Sequence, residues 1–120
     1  MLWVRITAVV FVLNFKNSLQ SYVIPQPEIK VYGEGFSVSI PHVPGINSFT
    51  FNGNVNRDLF GFASGDFAAN VKMPENGKWI FRDLHNKLKI GDVIYYRIFV
   101  VRNGLGYRLE HGRFDVKGKC

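Results

Sequence analysis

The sequence predicts an all-β fold, an immunoglobulin-like antiparallel β-sandwich, from three observations. About seven short runs of aromatic and β-branched residues are separated by turns rich in Gly, Pro and Asn, which is typical of a sandwich. The apolar residues nowhere keep the period of about 3.6 residues that marks an amphipathic helix. The 120 residues, 47% of them hydrophobic, suffice for one domain with a single core. The Cys-Trp-Cys core of antibody domains is absent, so the prediction concerns architecture only.

The first part of the chain predicts three strands. Pro25 and Pro27 confine the strand at 28–31 to the edge of a sheet, because proline cannot donate a ladder hydrogen bond. Residues 36–40 alternate apolar with small polar side chains, so the apolar members of this run are predicted to face the core. The run 46–51 is predicted to place its two phenylalanines in the same core.

The middle of the chain is the least regular part. Residues 52–54, Asn-Gly-Asn, predict a turn that ends the third strand. A loop-rich crossover is expected over 55–69, followed by one short strand at about 67–71. A turn at 73–77 then leads into a strand that contains Trp79.

The longest run with a strand pattern extends from Asp92 to Asn103 and carries apolar residues on both alternating faces. Such a strand is usually central in its sheet or covered by another layer. Residues 88–96, Leu-x-x-Gly-Asp-x-x-Tyr-Tyr, look like the corner at which a tyrosine hydroxyl bonds back to upstream backbone. A last strand is predicted at 107–116. The two faces of the long strand are Val93, Tyr95, Phe99 and Val101 on one side, and Ile94, Tyr96, Ile98 and Val100 on the other.

Residues 1–21 have the pattern of a secretory signal peptide. Met1 to Arg5 form a basic start, and the apolar run from Ile6 to Leu13 is too short to span a bilayer. Cleavage is predicted after Ser21, which leaves residues 22–120 as one secreted, extracellular domain without stable membrane insertion. The alternative is an uncleaved N-terminal anchor. The first residue of the secreted protein distinguishes the two.

The net charge is modest and basic. The formal charge is +6, and removal of residues 1–21, which contain Arg5, Lys16 and no acidic residue, lowers it to +4. No cluster of Lys and Arg defines a nucleic-acid footprint, so no nucleic-acid partner is predicted. The excess positive charge either belongs to an ordinary solvated surface or attracts anionic bacterial wall components such as lipopolysaccharide and lipoteichoic acid.

Cys120 is the only cysteine and the last residue of the sequence. No disulfide framework can therefore form within the chain, and the core must be held together by burial. Two interpretations of Cys120 stay open. Either it links two chains in a disulfide-bonded dimer, or the chain continues in a longer gene product.

No arrangement in the sequence predicts catalysis. Glycoside hydrolysis needs two carboxyl groups at a set separation, whereas the acidic residues here are scattered. His42, His85 and His111 are equally dispersed, and neither a zinc-ligand motif nor a phosphate-binding loop is present. The sequence therefore predicts a binding protein that is not an enzyme and that needs no metal or cofactor.

Trp79 is the residue whose placement decides between two interpretations. Trp79 and Asp83 project from one side of their strand, and Arg82 projects from the other. In the first interpretation the indole ring lies in the core, as is usual for a sandwich strand. In the second, the ring is open at a sheet edge and offers a flat apolar face to a sugar, while Arg82 and Asp83 bond its hydroxyls. The strand pattern favours the first interpretation.

Six motifs occur in a characteristic order: Tyr22–Pro25, Gly35–Pro41, Phe51–Gly53, Asn76–Asp83, Leu88–Asp92 and Asn103–Arg108. With these motifs, the chain from Tyr22 to about Val116 resembles the N-terminal domain of insect β-1,3-glucan recognition proteins, also called Gram-negative bacteria-binding proteins. The motifs Gly-Lys-Trp-x-Phe-Arg-Asp and Asn-Gly-Leu-Gly-Tyr-Arg are the most specific part of the resemblance.

The resemblance implies a secreted pattern-recognition protein that binds β-1,3-glucan of fungal walls, signals to proteins of an innate immune cascade and has no catalytic activity. It also implies a short, stand-alone member without the glucanase-like C-terminal domain of longer relatives. The implied carbohydrate-binding residues are Trp79, Arg82, Asp83, Tyr107, Arg108 and His42.

Two departures from the family pattern suggest an alternative function. The family commonly has Asp at the position of His42 and Trp at the position of Arg97. If these changes remove glucan contacts, the chain is an adaptor or decoy that acts by protein association. A glucan pull-down separates this alternative from the lectin.

Overall fold

The computed structural model describes residues 22–59, 61 and 64–118, and within them the chain forms strands joined by turns and loops. The predicted signal peptide and Cys120 lie outside the described residues. No helix among the described residues is long and apolar enough to cross a membrane. The strands are β1 (Glu28–Val31), β2 (Phe36–Pro41), β3 (Ile46–Val55), β4 (Phe67–Val71), β5 (Lys78–Asp83), β6 (Val93–Arg102) and β7 (Leu105–Asp115).

These strands form two antiparallel sheets that pack face to face. In the part of the chain that the structure describes, the first sheet has the order β1-β2-β5 and the second has the order β4-β3-β6-β7. Strands that are neighbours in sequence thus often lie in different sheets, as in immunoglobulin-like sandwiches. The predicted fold class is confirmed. The prediction that proline confines β1 to an edge is also confirmed.

The core is filled by the inward-facing residues that the alternation predicted. Phe36, Val38 and Ile40 of β2 are fully buried, as are Phe49 and Phe51 of β3. Aromatic rings join the two sheets across this core. The Phe51 ring of the second sheet stacks on the Phe81 ring of the first, with centroids 4.7 Å apart. Burial of such rings, with no disulfide in the chain, stabilises the sandwich.

β6 is one of the two interior strands of the second sheet, as its two apolar faces predicted. It pairs with β3 on one side and β7 on the other. Ile94, Tyr96, Ile98 and Val100 face inward and are buried, whereas Tyr95 and Phe99 on the opposite face are partly exposed. The outward face of β6 is therefore available for contacts outside the core.

The predicted turn at residues 52–54 is wrong, because β3 continues through it to Val55. Gly53 lies within the strand, where an added Cβ atom would come within 2.8 Å of the Phe51 ring, and a Cβ atom added at Gly65 would overlap the Gly53 carbonyl oxygen. The Asn54 side chain also bonds the following loop, with its Oδ1 accepting from the Asp66 amide at 2.7 Å. The Asn and Gly residues of this segment therefore pack against the following loop and do not reverse the chain. β7 likewise begins at Leu105, before the predicted residue 107.

The corner before β6 is held by Asp92 and not by a tyrosine. Asp92 Oδ2 accepts from the Lys89 backbone N–H at 2.9 Å, and Oδ1 accepts from Asn56 Nδ2 at 3.1 Å. Within the described residues, the hydroxyls of Tyr95 and Tyr96 make no hydrogen bond. The predicted tyrosine corner is therefore absent from the described part of the chain. The backbone hydrogen bond from Lys89, followed by that from Asn56, lowers the pKa of Asp92 below its ordinary value.

The Asp92 corner predicts a pH dependence of stability. Because folding lowers the pKa of Asp92, its contribution is present above the unfolded-state pKa and is lost as the pH falls through the folded-state pKa. We expect Asp92→Asn to lower the urea midpoint clearly at about pH 6 and much less at about pH 2. Urea unfolding of both proteins at each pH measures this. An Asp92→Asn effect that is the same at both pH values would contradict it.

β7 forms one edge of the second sheet and carries charged side chains along it. Arg113 Nε bonds Asp115 Oδ1 at 3.0 Å, and Arg108 Nη1 lies 3.8 Å from Glu110 Oε1. Charges on an exposed strand disfavour pairing with a strand of another chain. The edge is thus polar as well as long.

Candidate functional site

The sequence-predicted site residues do not form one cluster. His42, Trp79 and Arg82 belong to the first sheet or the loop beside it, Asp83 ends β5, and the remaining two residues lie on β7 in the second sheet. The placement of Trp79 decides what the others can do.

Trp79 lies in the core, so the interpretation of an open indole at a sheet edge is wrong for this structure. The side chain is only 1% exposed and is among the largest fully buried residues. Trp79 pairs with Ile40 across the β2–β5 ladder, which turns both toward the second sheet. Strand alternation explains this, because Trp79 and Phe81 share the inward face. The indole ring therefore cannot lie flat against a sugar.

The indole N–H nevertheless reaches the edge of the core and holds His42. Trp79 Nε1 donates to His42 Nδ1 at 3.1 Å, and the two ring centroids are 6.0 Å apart. The His42 backbone N–H also bonds the Gly77 carbonyl at 2.8 Å, which fixes this loop against the β5 turn. Because an indole N–H only donates, Nδ1 of His42 must accept, and the proton of the neutral imidazole is on Nε2. Among the described residues, His42 is exposed and Nε2 has no partner.

Ion pairs cover the solvent side of the first sheet, which we call the paired face and define by Glu28, Lys30, Glu75, Lys78 and Arg82. Arg82 bonds Glu75 through both guanidinium nitrogens at 2.9 Å. Lys78 Nζ donates to Glu28 Oε1 at 3.2 Å, and Lys30 Nζ lies 3.8 Å from the same oxygen. The Arg82 hydrogen bond lowers the pKa of Glu75, and the Lys78 hydrogen bond is the main cause of the lowered pKa of Glu28. These exposed pairs stay charged at neutral pH and contribute little to stability.

Asp83 is engaged in the turn that follows β5. Its Oδ1 accepts from the His85 backbone N–H, and its Oδ2 accepts from Asn86 Nδ2, both at 2.8 Å. Asp83 lies four residues from Trp79, which places it about 13 Å farther along β5. Its observed contacts are those of a residue that shapes a turn.

Tyr107 and Arg108 point to opposite faces of β7. Tyr107 is half-buried against the core, and its ring meets the Tyr22 ring edge-on with centroids 5.5 Å apart. Arg108 faces solvent, with its guanidinium carbon 5.9 Å from the centroid of the Phe99 ring. Arg108 therefore lies on the solvent face of the second sheet, whereas the Tyr107 ring lies on its core side.

A groove on the solvent face of the second sheet was not predicted from the sequence, although it is lined by Arg108, one of the implied carbohydrate-binding residues, and by Arg97. This outer groove has a volume of about 780 Å³ and is lined by residues of β3, β6, β7 and the loop after β3. The signal was present in the alternation of β6, which put Tyr95 and Phe99 on one face, but the partners on β3 and β7 depend on strand register. The side chains that matter most are Asn52, Asp58, Tyr95, Arg97, Phe99, Arg108 and Glu110.

No group of three or more His, Cys, Asp or Glu residues among those described is placed to hold a metal ion. The chemistry that the observed surfaces offer is hydrogen bonding by ion-paired and imidazole groups, together with contact to exposed aromatic rings. These are the interactions that recognise polar, uncharged ligands.

Comparison with known proteins relates the chain to carbohydrate-binding domains. The family model CBM39, described as "Carbohydrate binding domain (family 32)", matches residues 23–120. The chain is 38% identical over 111 residues to Beta-1,3-glucan-binding protein 1 of Manduca sexta, covering 92% of this chain and 23% of that protein. It is 44% identical over 101 residues to Gram-negative bacteria-binding protein 3 of Drosophila melanogaster, covering 83% of this chain and 21% of that protein. The chain thus spans less than a quarter of the length of these relatives.

A solved structure supports the fold. The structure described as "Crystal structure of Br derivative BhCBM56" is similar to the chain with a TM-score of 0.58 and 19% identity. The match covers 81% of this chain and 97% of that one. At this identity the likeness concerns the fold alone.

Proposed function

Because the chain belongs to the CBM39 family of carbohydrate-binding domains, we propose that it binds β-1,3-glucan of microbial walls. The proposal includes secretion, action in innate immunity and passage of a signal to immune-cascade proteins. Relatives over 30% identical are named for β-1,3-glucan or for Gram-negative bacteria, which supports this ligand class. In this proposal the domain binds the polysaccharide and does not cleave it.

The observation that carries the proposal is the hydrogen bond between Trp79 and His42. It fixes the imidazole ring at the rim of the sandwich with Nε2–H directed away from the bond, so that a donor is ready for a sugar hydroxyl. Preorganised donors cost less entropy on binding than mobile ones. Trp79 is in this proposal a positioning residue, and His42 is the residue that contacts the sugar.

The paired face extends the proposed site along the first sheet. Arg82 and Glu75 form a bidentate pair whose remaining donors and lone pairs suit adjacent hydroxyls of a sugar. Its cations and anions neutralise one another in large part, which matches an uncharged polysaccharide better than an anionic one. Arg82 and His42 are retained as sugar contacts, whereas Asp83 and Tyr107 are proposed to act by shaping the fold.

Hydrogen bonds hold three carboxyl groups of the domain in the charged form. A glycosidase keeps one carboxylic acid protonated by raising its pKa. Hydrogen bonds lower the pKa of Glu28, Glu75 and Asp92. Such carboxylates accept hydrogen bonds and are poor proton donors.

Retention on insoluble β-1,3-glucan tests the proposed site. We expect His42→Ala to weaken binding about fivefold to tenfold, because one hydrogen bond to the sugar is lost. His42→Gln should restore much of the binding, since an amide can accept from Trp79 and still donate to the ligand. Depletion of protein from solution by increasing amounts of glucan gives the affinities.

The matched control is His85→Ala, which removes another exposed imidazole beyond the far end of β5. It should bind as the wild type does. Equal affinities of wild type and a folded His42→Ala variant would exclude His42 from the site. Failure of the wild type to bind would overturn the glucan assignment and leave the adaptor function.

A further inference from the structure

β4 forms the other edge of the second sheet, opposite β7. It pairs with β3 only, and no further hydrogen bond of residues 67–71 occurs in the part of the chain that the structure describes. In an edge strand, every other residue turns its backbone N–H and C=O groups away from the sheet. β4 therefore presents backbone donors and acceptors with which a further strand can pair.

β4 lacks the features that normally prevent such pairing. Proteins protect exposed edge strands with charged side chains, proline or a β-bulge. β1 and β5 each contain charged residues of both signs, and β7 carries the ion pairs described above. The sequence of β4 is Phe-Ala-Ala-Asn-Val, without charge or proline, and its register with β3 is unbroken. Of the edge strands in the two sheets, β4 is thus the best suited to strand addition.

The core side of β4 is only partly covered. Phe67, Ala69 and Val71 pack against the core, but each keeps part of its surface exposed. The Phe67 ring meets the Phe36 ring edge-on with centroids 5.2 Å apart, which fixes it against the first sheet. A strand added at this edge would cover the exposed parts of these side chains. Burial of apolar surface favours such an association.

The residues of β4 are complementary to a second, antiparallel copy of β4. In a pairing centred on Ala69, each residue lies opposite the one at the same distance on the other side of Ala69. Phe67 then lies opposite Val71 on the core side, and aromatic and β-branched residues form favourable cross-strand pairs. The small Ala68 lies opposite Asn70 on the solvent side. No bulky side chain stands at the centre of the contact.

The two charges that flank β4 fit the same register. Asp66 and Lys72 are equally far from Ala69, so each Asp66 lies opposite the Lys72 of the other copy, twice by symmetry. Lys72 is exposed and makes no ion pair among the described residues. Asp66 Oδ1 accepts from Arg57 at 2.8 Å, which leaves Oδ2 for a second cation. Pairing centred on any other residue would break both of these contacts between copies.

We propose that β4 is a homodimer interface, at which two copies of the domain join their four-stranded sheets into one continuous sheet. The partner is a second copy of this chain, and the two-fold axis passes near Ala69. An isologous interface of this kind is closed, so assembly stops at the dimer. Because the contact of one short strand is small, we expect a weak dimer with a dissociation constant on the order of 0.1 to 1 mM. This interface does not depend on a ligand.

Sedimentation equilibrium of the secreted protein from about 0.02 to 2 mM, with a reducing agent present, tests the interface. The reducing agent removes any dimer linked through Cys120. We expect the wild type to pass from monomer to dimer across this range. Lys72→Asp and Asp66→Lys should each weaken dimerisation about tenfold or more, because two opposite-charge pairs become like-charge pairs. An equimolar mixture of the two variants should dimerise about as strongly as the wild type, since each carboxylate again faces an ammonium group.

Lys117→Asp is the matched control, because it makes the same change of charge at an exposed residue that follows β7. It should dimerise as the wild type does. Amide hydrogen exchange locates the contact. Exchange in β4 should slow as the protein concentration rises, whereas exchange in β1, an edge of the other sheet, should not change.

Three results would overturn the β4 interface. The first is a wild-type protein that stays monomeric throughout the concentration range. The second is a mixture of the two charge variants that fails to dimerise although circular dichroism shows both to be folded. The third is growth beyond the dimer, which would mean that unlike strand edges pair in an open series. Because no glucan is present, each of these results leaves the proposed function standing, and failure to bind glucan leaves the interface standing.

Discussion

We expect replacement of Trp79 by alanine to lower the stability of the whole domain strongly and not merely to remove a ligand contact. The indole is 1% exposed and lies between the two sheets. Truncation of a buried Trp to Ala costs about 3 to 5 kcal/mol, mostly through lost burial and the cavity left behind. A domain of this size has a free energy of unfolding of about 5 to 15 kcal/mol. Urea unfolding followed by circular dichroism measures the loss.

Trp79→Phe separates the structural role of the ring from its effect on His42. Phenylalanine refills most of the cavity but has no N–H, so His42 loses its hydrogen-bond donor. We expect this variant to stay folded and to bind glucan with an affinity similar to that of His42→Ala. A Trp79→Ala protein with wild-type stability and no glucan binding would instead mean that the indole touches the sugar.

We expect Gly35→Ala to lower the free energy of unfolding by about 3 kcal/mol or more, the upper end of the range for overpacking. A Cβ atom at Gly35 would overlap the Asp83 carbonyl oxygen and lie 2.8 Å from the Leu84 Cα atom. Both are backbone groups at the end of β5 and cannot rotate away. The first sheet must separate there, at the β2–β5 ladder that positions Trp79.

Gly33→Ala is the matched control for this effect. Gly33 is in the same turn, nothing lies within 4 Å of a Cβ atom added there, and its φ is outside the left-handed region. Its effect on unfolding should be small and could be slightly stabilising, because alanine restricts the unfolded chain. Similar losses at Gly33 and Gly35 would show that general turn flexibility, and not the contact with Asp83, is responsible.

Strand alternation predicted much of the fold, since it depends only on which side chains avoid water. It correctly placed Phe36, Phe49 and Phe51 in the core and β6 in the interior of its sheet. It failed at residues 52–54, where Asn-Gly-Asn has the composition of a turn. There the conformation of the segment depends on the neighbouring loop, because Gly65 approaches Gly53 more closely than a side chain would allow.

The candidate site was harder to predict, because its residues converge through sheet register. The sequence singled out Trp79 as a key residue, but its role depends on whether its face of β5 is covered by the second sheet. The hydrogen bond to His42 links residues 37 positions apart, and no local pattern indicates it. In the outer groove, Asn52, Arg97 and Glu110 come from three strands. Only their pairing brings them together.

The charged edge formed by β7 has a consequence for crowding. Under the proposed function, a polysaccharide that gathered many copies of the domain would bring their strand edges close together at a high local concentration. An apolar strand edge would then pair with the edges of neighbouring copies and extend into a stable fibre. The Arg113–Asp115 and Arg108–Glu110 pairs make that extension unfavourable. Copies that bind side by side under the proposed function would therefore not pair through β7.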